Sequence, residues 1–185
     1  MGMIHDPLVP NKKSTNNKTI NLARKLLAKA APLVATRKNL FKADSLNHTD
    51  VAFDNFIVTP EGLRLIDWEK PRVDDRSYDL CFFLSEPAQL WFSPIVVDAE
   101  ERERFLLNYA RLSGHRLELI LEKVKIREPL VSLHWILWGA TKLCDLNEHR
   151  TAPELIQAHA AKAPRYERIA EPANIEKLLD SFHLG

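Results

Sequence analysis

Glycine is scarce in this chain: five among 185 residues, at positions 2, 62, 114, 139 and 185. No G-x-G-x-x-G run can be drawn from them, so no glycine-rich, phosphate-covering loop of that kind is encoded. Cysteine is scarcer still, with only Cys81 and Cys144. Two thiols inside apolar helical patterns read as buried free cysteines of a reducing compartment, not as a disulfide framework. No apolar run approaches the ~20 residues of a membrane span, and the polar, Asn/Lys-rich residues 1–18 hold no secretory apolar core. A cytoplasmic protein is expected. Net charge is +1, so no global field points to nucleic acid or to a membrane, and neither is expected as a partner.

The chain is long enough for one domain with a real core, and its 45% hydrophobic content argues against disorder. Charge is unevenly spread. Residues 1–45 carry nine Lys/Arg against two Asp, a net of +7, and residues 46–104 carry thirteen Asp/Glu against six Lys/Arg, a net of −7. The acidic stretch suits Mg²⁺ and a cationic or hydroxylated substrate, and reads equally as a solvated surface.

Residues 1–17 are expected to form a flexible basic arm, and residues 18–185 a helical unit. Ile20, Leu22, Ala23, Leu26, Leu27, Ala30 and Leu33 form an apolar stripe at helical spacing, predicting a helix over 19–34. Residues 35–47 read as a connector. Two β-type runs, 55–58 and 63–68, flank Thr59-Pro60-Glu61-Gly62, whose Pro and Gly suit a type I turn. If strand alternation persists, Asp67 leaves on the face of Leu65. Further helices are expected over 77–85, from an Asp98 N-cap to Ser113-Gly114, over 116–126, 128–147, 154–163 and 175–182. His134 on the apolar stripe reads as a core histidine, and residues 165–168 as an exposed turn and helix segment. The fold class is mainly α with one small β-hairpin.

The chemistry concentrates at residues 48–69. Transfer of a nucleotide's γ-phosphoryl group needs a carboxylate beside the acceptor hydroxyl and oxygen ligands that hold Mg²⁺ against the phosphates. Asp50 and Asn55 lie five positions apart on one loop that enters a strand, and Asp67 ends the next strand. The hairpin folds these three together. His48 is expected to brace the loop through the backbone.

His48-Thr49-Asp50 followed by Asn55 is similar to the His-Gly-Asp…Asn loop of the aminoglycoside phosphotransferase and choline kinase-like group, a branch of the protein-kinase-like fold. Ile66-Asp67-Trp68-Glu69 resembles that family's Ile-Asp-(Trp/Phe)-Glu motif, and Asp75-Arg76-Ser77-Tyr78-Asp79-Leu80 its Asp-Pro-x-x-Asp-Leu stretch. The resemblance spans roughly residues 18–182, the family's helical C-terminal lobe. It implies an ATP-dependent phosphotransferase with a small-molecule alcohol acceptor. Asp50 is then the catalytic base, with His48 in the same catalytic loop, Asn55 and Asp67 the ligands of Mg²⁺ and thereby of the nucleotide, and Asp79 a structural brace. It also implies a substrate pocket among the later helices, with Trp135 and Trp138 as walls. Ordinary core packing is the other reading of that tryptophan pair.

Two departures from the pattern bear on activity. Thr49 replaces the Gly between His48 and Asp50, and a β-branched residue disfavours the angles Gly permits, so a differently bent loop is expected. Asp54 adds a carboxylate beside the expected metal site. Only 47 residues precede the catalytic loop, with one helix and no strand series, so the nucleotide-holding lobe of this fold is not evident. The expectation is a catalytic lobe completed by a partner chain or a homodimer, or absent by truncation. Two other readings stand beside it: a binding module that takes no nucleotide alone, and a metal-dependent phosphohydrolase using His48, Asp50 and Asp67 as ligands.

Overall fold

The longest element, a 31-residue helix near the C-terminus, touches every other long helix. The computed structural model describes residues 12–181, with side chains described for 18–180. In chain order the elements are α1 (Lys12–Thr36), β1 (Ser45–Asn47), β2 (Phe56–Thr59), β3 (Gly62–Leu65), β4 (Arg72–Asp74), α2 (Ser77–Leu84), α3 (Glu86–Phe92), α4 (Ala99–Ser113), α5 (Leu117–Asn147), α6 (Pro153–Ile169) and α7 (Pro172–Ser181). The fold is mainly helical with two small antiparallel sheets, β1–β4 and β2–β3. No described helix is long and apolar enough to cross a membrane.

Two apolar clusters meet along α5. One joins Val51 and Ala52 of the loop before β2 to Leu80, Phe82 and Leu84 of α2, Leu106 of α4, and Ile120 and Val124 of α5. The other joins Ala23, Leu26 and Ala30 of α1 to Leu133 and Ile136 of α5, Ile169 of α6 and Ile175 of α7. The expected stripe of α1 is therefore real, but only part of it is covered. Ile20 and Leu27 stay exposed.

Several boundaries differ from the expectation. α1 already runs from Lys12, inside the expected arm; residues 1–11 lie outside the described part. The two helices expected around Glu128 are one, with Pro129 buried in its interior. Proline lacks the N–H that would bond the carbonyl four residues back, a cost of about 3 kcal/mol. Burial of Val124, Ile126, Val131, Leu133 and Ile136 on either side offsets it, since each large aliphatic contributes roughly 1.5–3 kcal/mol. The segment after Asp75 breaks into α2 and α3, because Ser85 turns extended and caps α3 by accepting from the Ala88 N–H. Asp98 caps α4 in a full capping box with Glu101, and Gly114 ends it at φ 71°, both as read.

The expected connector over 35–47 holds β1, which pairs with β4 in the register Ser45↔Asp74, Leu46↔Val73 and Asn47↔Arg72. Three-residue strands carry too little periodicity to be read alone. The hairpin is present, with Phe56↔Leu65 to Thr59↔Gly62 paired, and Asn55 sits in a 3₁₀ turn just before it. The second strand ends at Leu65, because Asp67 takes φ 63° and breaks the alternation. His134 is exposed rather than core, while Tyr166, expected in an exposed segment, is fully buried against Trp91 and Trp138. Cys81 is buried and Cys144 half-buried.

Candidate active site

The loop from His48 to Asn55 is held from three sides. Below, Val51 and Ala52 are sunk in the core; burying Val51 alone contributes roughly 1.5–3 kcal/mol. From α2, the Asp79 carboxylate accepts the His48 N–H at 2.7 Å and the Thr49 N–H at 2.9 Å. Each carboxylate oxygen takes one donor, which fixes two successive peptide planes. From the hairpin base, the His48 ring reaches the Ile66 carbonyl at 2.7 Å through Nε2. A carbonyl only accepts, so Nε2 carries the proton. His48 is buried and its ring meets the Trp68 ring edge-on at 4.6 Å. It therefore ties the loop to the segment carrying Asp67, as a positioning residue.

Thr49 adopts φ 69°, the left-handed conformation open to Gly at the same place. The β-branched Thr49 holds this conformation in the folded loop. That conformation costs a non-glycine residue roughly 1–2 kcal/mol. The bond to Asp79, and a second from Thr49 Oγ1 to the Lys70 carbonyl at 2.8 Å, offset the cost, the charged one contributing roughly 1.5–3 kcal/mol.

Asn55 Nδ2 donates to the Asp50 carbonyl at 2.8 Å and approaches the Asp50 carboxylate at 3.3 Å. With its amide nitrogen turned to Asp50, the side-chain oxygen of Asn55 faces away and remains an acceptor. Asp67 is exposed, and among the described residues its carboxylate receives no hydrogen bond and no ion pair. The Ile66 N–H donates to the Asn55 carbonyl at 2.9 Å, so the residues flanking the two expected ligands are clasped across the hairpin base. Partial burial raises the Asp50 carboxyl above its ordinary value. The Asn55 hydrogen bond and His48 pull it back, while Asp67 and Asp54 push it further up. The structure thus brings His48, Asp50, Asn55 and Asp67 together, with Asp54 exposed beside them.

This donor set fits one hard divalent cation: a free carboxylate and an amide oxygen, with room for phosphate oxygens and water. It does not fit a transition-metal centre. The Nδ1 of His48 is buried and keeps its lone pair, but the described residues contain no group of three His, Cys, Asp or Glu arranged to hold an ion.

The expected pocket walls lie elsewhere. Trp135 packs on Phe82 and Phe92, and Trp138 on Trp91 and Tyr166, in one aromatic cluster between α3, α5 and α6. A cavity of about 460 Å³ instead lies under the hairpin, lined by Val51, Phe53, Phe56, Phe83, Phe105 and the Asp79–Tyr109 edge. A further group escaped the sequence reading. Asp75 is fully buried and accepts from Lys123 Nζ at 2.5 Å, the Lys42 N–H at 2.9 Å, and the Ser77 N–H and Oγ at 3.0 and 2.7 Å. Arg127, one turn on along α5, bonds the Asp75 carbonyl and the Asp74 carboxylate. The signal was Lys123 and Arg127 at i, i+4 on one face of α5, with two consecutive acids upstream to meet them. Burial works to raise the Asp75 carboxyl, but Lys123 and the Lys42 and Ser77 donors outweigh it and hold it at about 2.

With this geometry in place, the chain matches the model of the phosphotransferase enzyme family over residues 11–119. The chain belongs to this family. The matched span runs from α1 through both sheets, the His48–Asn55 loop and Asp79 to the first turn of α5. It stops short of residue 182, where the resemblance read from the motifs ended. No curated protein and no solved structure matches the chain. Family membership points to phosphotransfer in general.

Proposed function

We propose that this phosphotransferase-family chain is the catalytic lobe of an ATP-dependent kinase acting on a small-molecule alcohol, with Mg²⁺ as its cofactor. The supporting observation is the pair of hydrogen bonds that the His48 and Thr49 N–H groups donate to the Asp79 carboxylate, which hold the loop carrying Asp50 beside Asn55 and Asp67. In this reading Asp50 aligns the acceptor hydroxyl and takes its proton. The raised carboxyl favours that role, because a base works best with a proton affinity nearer the operating pH. Asn55 Oδ1 and the Asp67 carboxylate hold Mg²⁺, which when bound neutralises charge on the β- and γ-phosphates as the bond breaks. His48 and Asp79 position the loop without touching the reacting atoms. A nucleotide-holding lobe completes the site over the hairpin, supplied by another chain, by a second copy, or by a part of the protein outside this sequence.

The test is turnover of ATP with a panel of hydroxylated and amine-bearing acceptors, alone and with candidate partner chains. Asp50→Asn is expected to lower kcat by about 10²–10⁴-fold, the usual contribution of a positioned base. Equal turnover by the two proteins would remove Asp50 from the mechanism.

The absence of a G-x-G-x-x-G run favours a second reading, a binding module that takes no nucleotide alone. Calorimetry with ATP and Mg²⁺ separates the two. Micromolar binding by the isolated chain sinks the second.

A further inference from the structure

A second cavity, of about 350 Å³, opens beside the Asp75 anchor, lined in part by Ser77, Lys42 and Lys123. Its floor is apolar, made by Leu40, Leu80, Leu119 and Ile120, and its rim carries Lys42, Arg76, His115 and Lys123. The carboxylates available to this rim do not match its cations. Asp75 is closed off, fully buried and saturated by Lys123, Ser77 and the Lys42 N–H. Asp44 lines the same cavity, half exposed, and pairs with Arg76 at 3.3 Å; it is the one carboxylate on a lining that also carries Lys42, Arg76, His115 and Lys123. The Arg76 guanidinium also meets Nε2 of His115, another basic group, and hydrogen-bonds Tyr109. A guanidinium only donates, so the pair offers no negative charge to either partner. Two bases facing each other over an apolar floor leave a place that a planar or tetrahedral anion satisfies better than either does. The fork of an arginine matches carboxylate and phosphate oxygens, and a charge-assisted bond to it is about twice as strong as a neutral one.

We infer that this cavity binds a small organic anion, a phosphate or carboxylate on an apolar body, with Arg76 and His115 gripping the anionic group and Leu80, Leu119 and Ile120 receiving the body. The site is separate from the Asp50 loop. Its two basic grips come from different elements, Arg76 at the start of α2 and His115 from the turn between α4 and α5. They converge because the Asp75–Lys123 pair pins α2 to α5. A volume of about 350 Å³ accommodates a single ring or short chain with its anionic group, and excludes a nucleoside triphosphate.

The test is calorimetry of the full chain, without Mg²⁺, against phenyl phosphate, benzoate and inorganic phosphate. Phenyl phosphate or benzoate is expected to bind at one site, more tightly than inorganic phosphate. Arg76→Gln should weaken that binding by at least about tenfold, the loss expected of one charge-assisted hydrogen bond. His115→Ala, checked for native helicity, provides the second variant and should also weaken it. Asp67→Asn, in the other site, and Arg150→Gln, on the far surface, should bind as the parent does. Three results would overturn the inference: no saturable heat with any of the anions up to about 10 mM; undiminished binding in both Arg76→Gln and His115→Ala; or binding altered by Asp67→Asn and not by Arg76→Gln, which would place the anion at the catalytic loop.

Discussion

Replacing Lys123 by Met tests how the active-site segment is anchored. Lys123 Nζ lies 2.5 Å from the Asp75 carboxylate, with side-chain exposures of 11% and 0%. Met keeps the apolar stem and removes the charge, so it leaves a carboxylate buried without its counter-ion. Breaking a buried pair in this way costs about 3–5 kcal/mol. The pH dependence gives a second magnitude. Asp75 is held at about 2, against 3.8 for the free side chain. That lowering corresponds to about 2 kcal/mol of stability. Because the folded value is depressed, the contribution is fully present above pH 3.8 and is lost as the pH falls through about 2. The assay is urea unfolding followed by tryptophan fluorescence, for the parent, Lys123→Met and Asp75→Asn, at neutral pH and in steps down to about pH 2. Lys123→Met should be the least stable at neutral pH, and its deficit should shrink as acid protonates Asp75. The parent should lose stability between about pH 4 and 2 more steeply than Asp75→Asn, by the same ~2 kcal/mol. A Lys123→Met protein within about 1 kcal/mol of the parent at neutral pH, or identical acid slopes for parent and Asp75→Asn, would refute the reasoning.

Two further outcomes follow from the loop geometry. Thr49→Ala keeps the left-handed strain and loses the bond to the Lys70 carbonyl, so it should be about 1 kcal/mol less stable than the parent, whereas Thr49→Gly relieves the strain and should lie within about 0.5 kcal/mol of it; chemical denaturation ranks the three, and a glycine variant below the alanine variant defeats the argument. Asp79→Asn can accept from only one of the two N–H groups and sets an amide N–H₂ against the other, so kcat in the partner-completed enzyme should fall by about 10–100-fold while Asp50 itself is intact; unchanged kcat would mean the loop is held without Asp79.

Much of the site was legible because its information is local. His48, Asp50, Asn55 and Asp67 fall within 20 residues, and a Pro-x-Gly turn between β-type runs brings the first three close to the last whatever surrounds them. The caps at Asp98 and Gly114 were readable for the same reason, since each depends on side chains within one helical turn. The failures share the opposite property. The break expected between residues 126 and 128 disappears only once the buried residues on both sides are known to pack. β1 and β4 are 27 positions apart, counted from Ser45 to Arg72, and neither has a pattern of its own. His134 looks like a stripe residue, but the direction of the stripe depends on which helices cover α5.

By itself, then, the sequence determined the chemistry on offer: a carboxylate, an amide and a second carboxylate on one hairpin, and no glycine-rich loop to grip a phosphate. Tertiary structure decided how that chemistry is held. Asp79 could become the brace of the loop only when α2 was laid against β1, and Asp75 could be buried as a charge only when Lys123 arrived from α5, 48 residues away. Local spacing sets which groups a turn can gather. Desolvated charges and left-handed backbone persist only where distant partners meet them, because no neighbour in the chain can supply the hydrogen bonds that offset their cost.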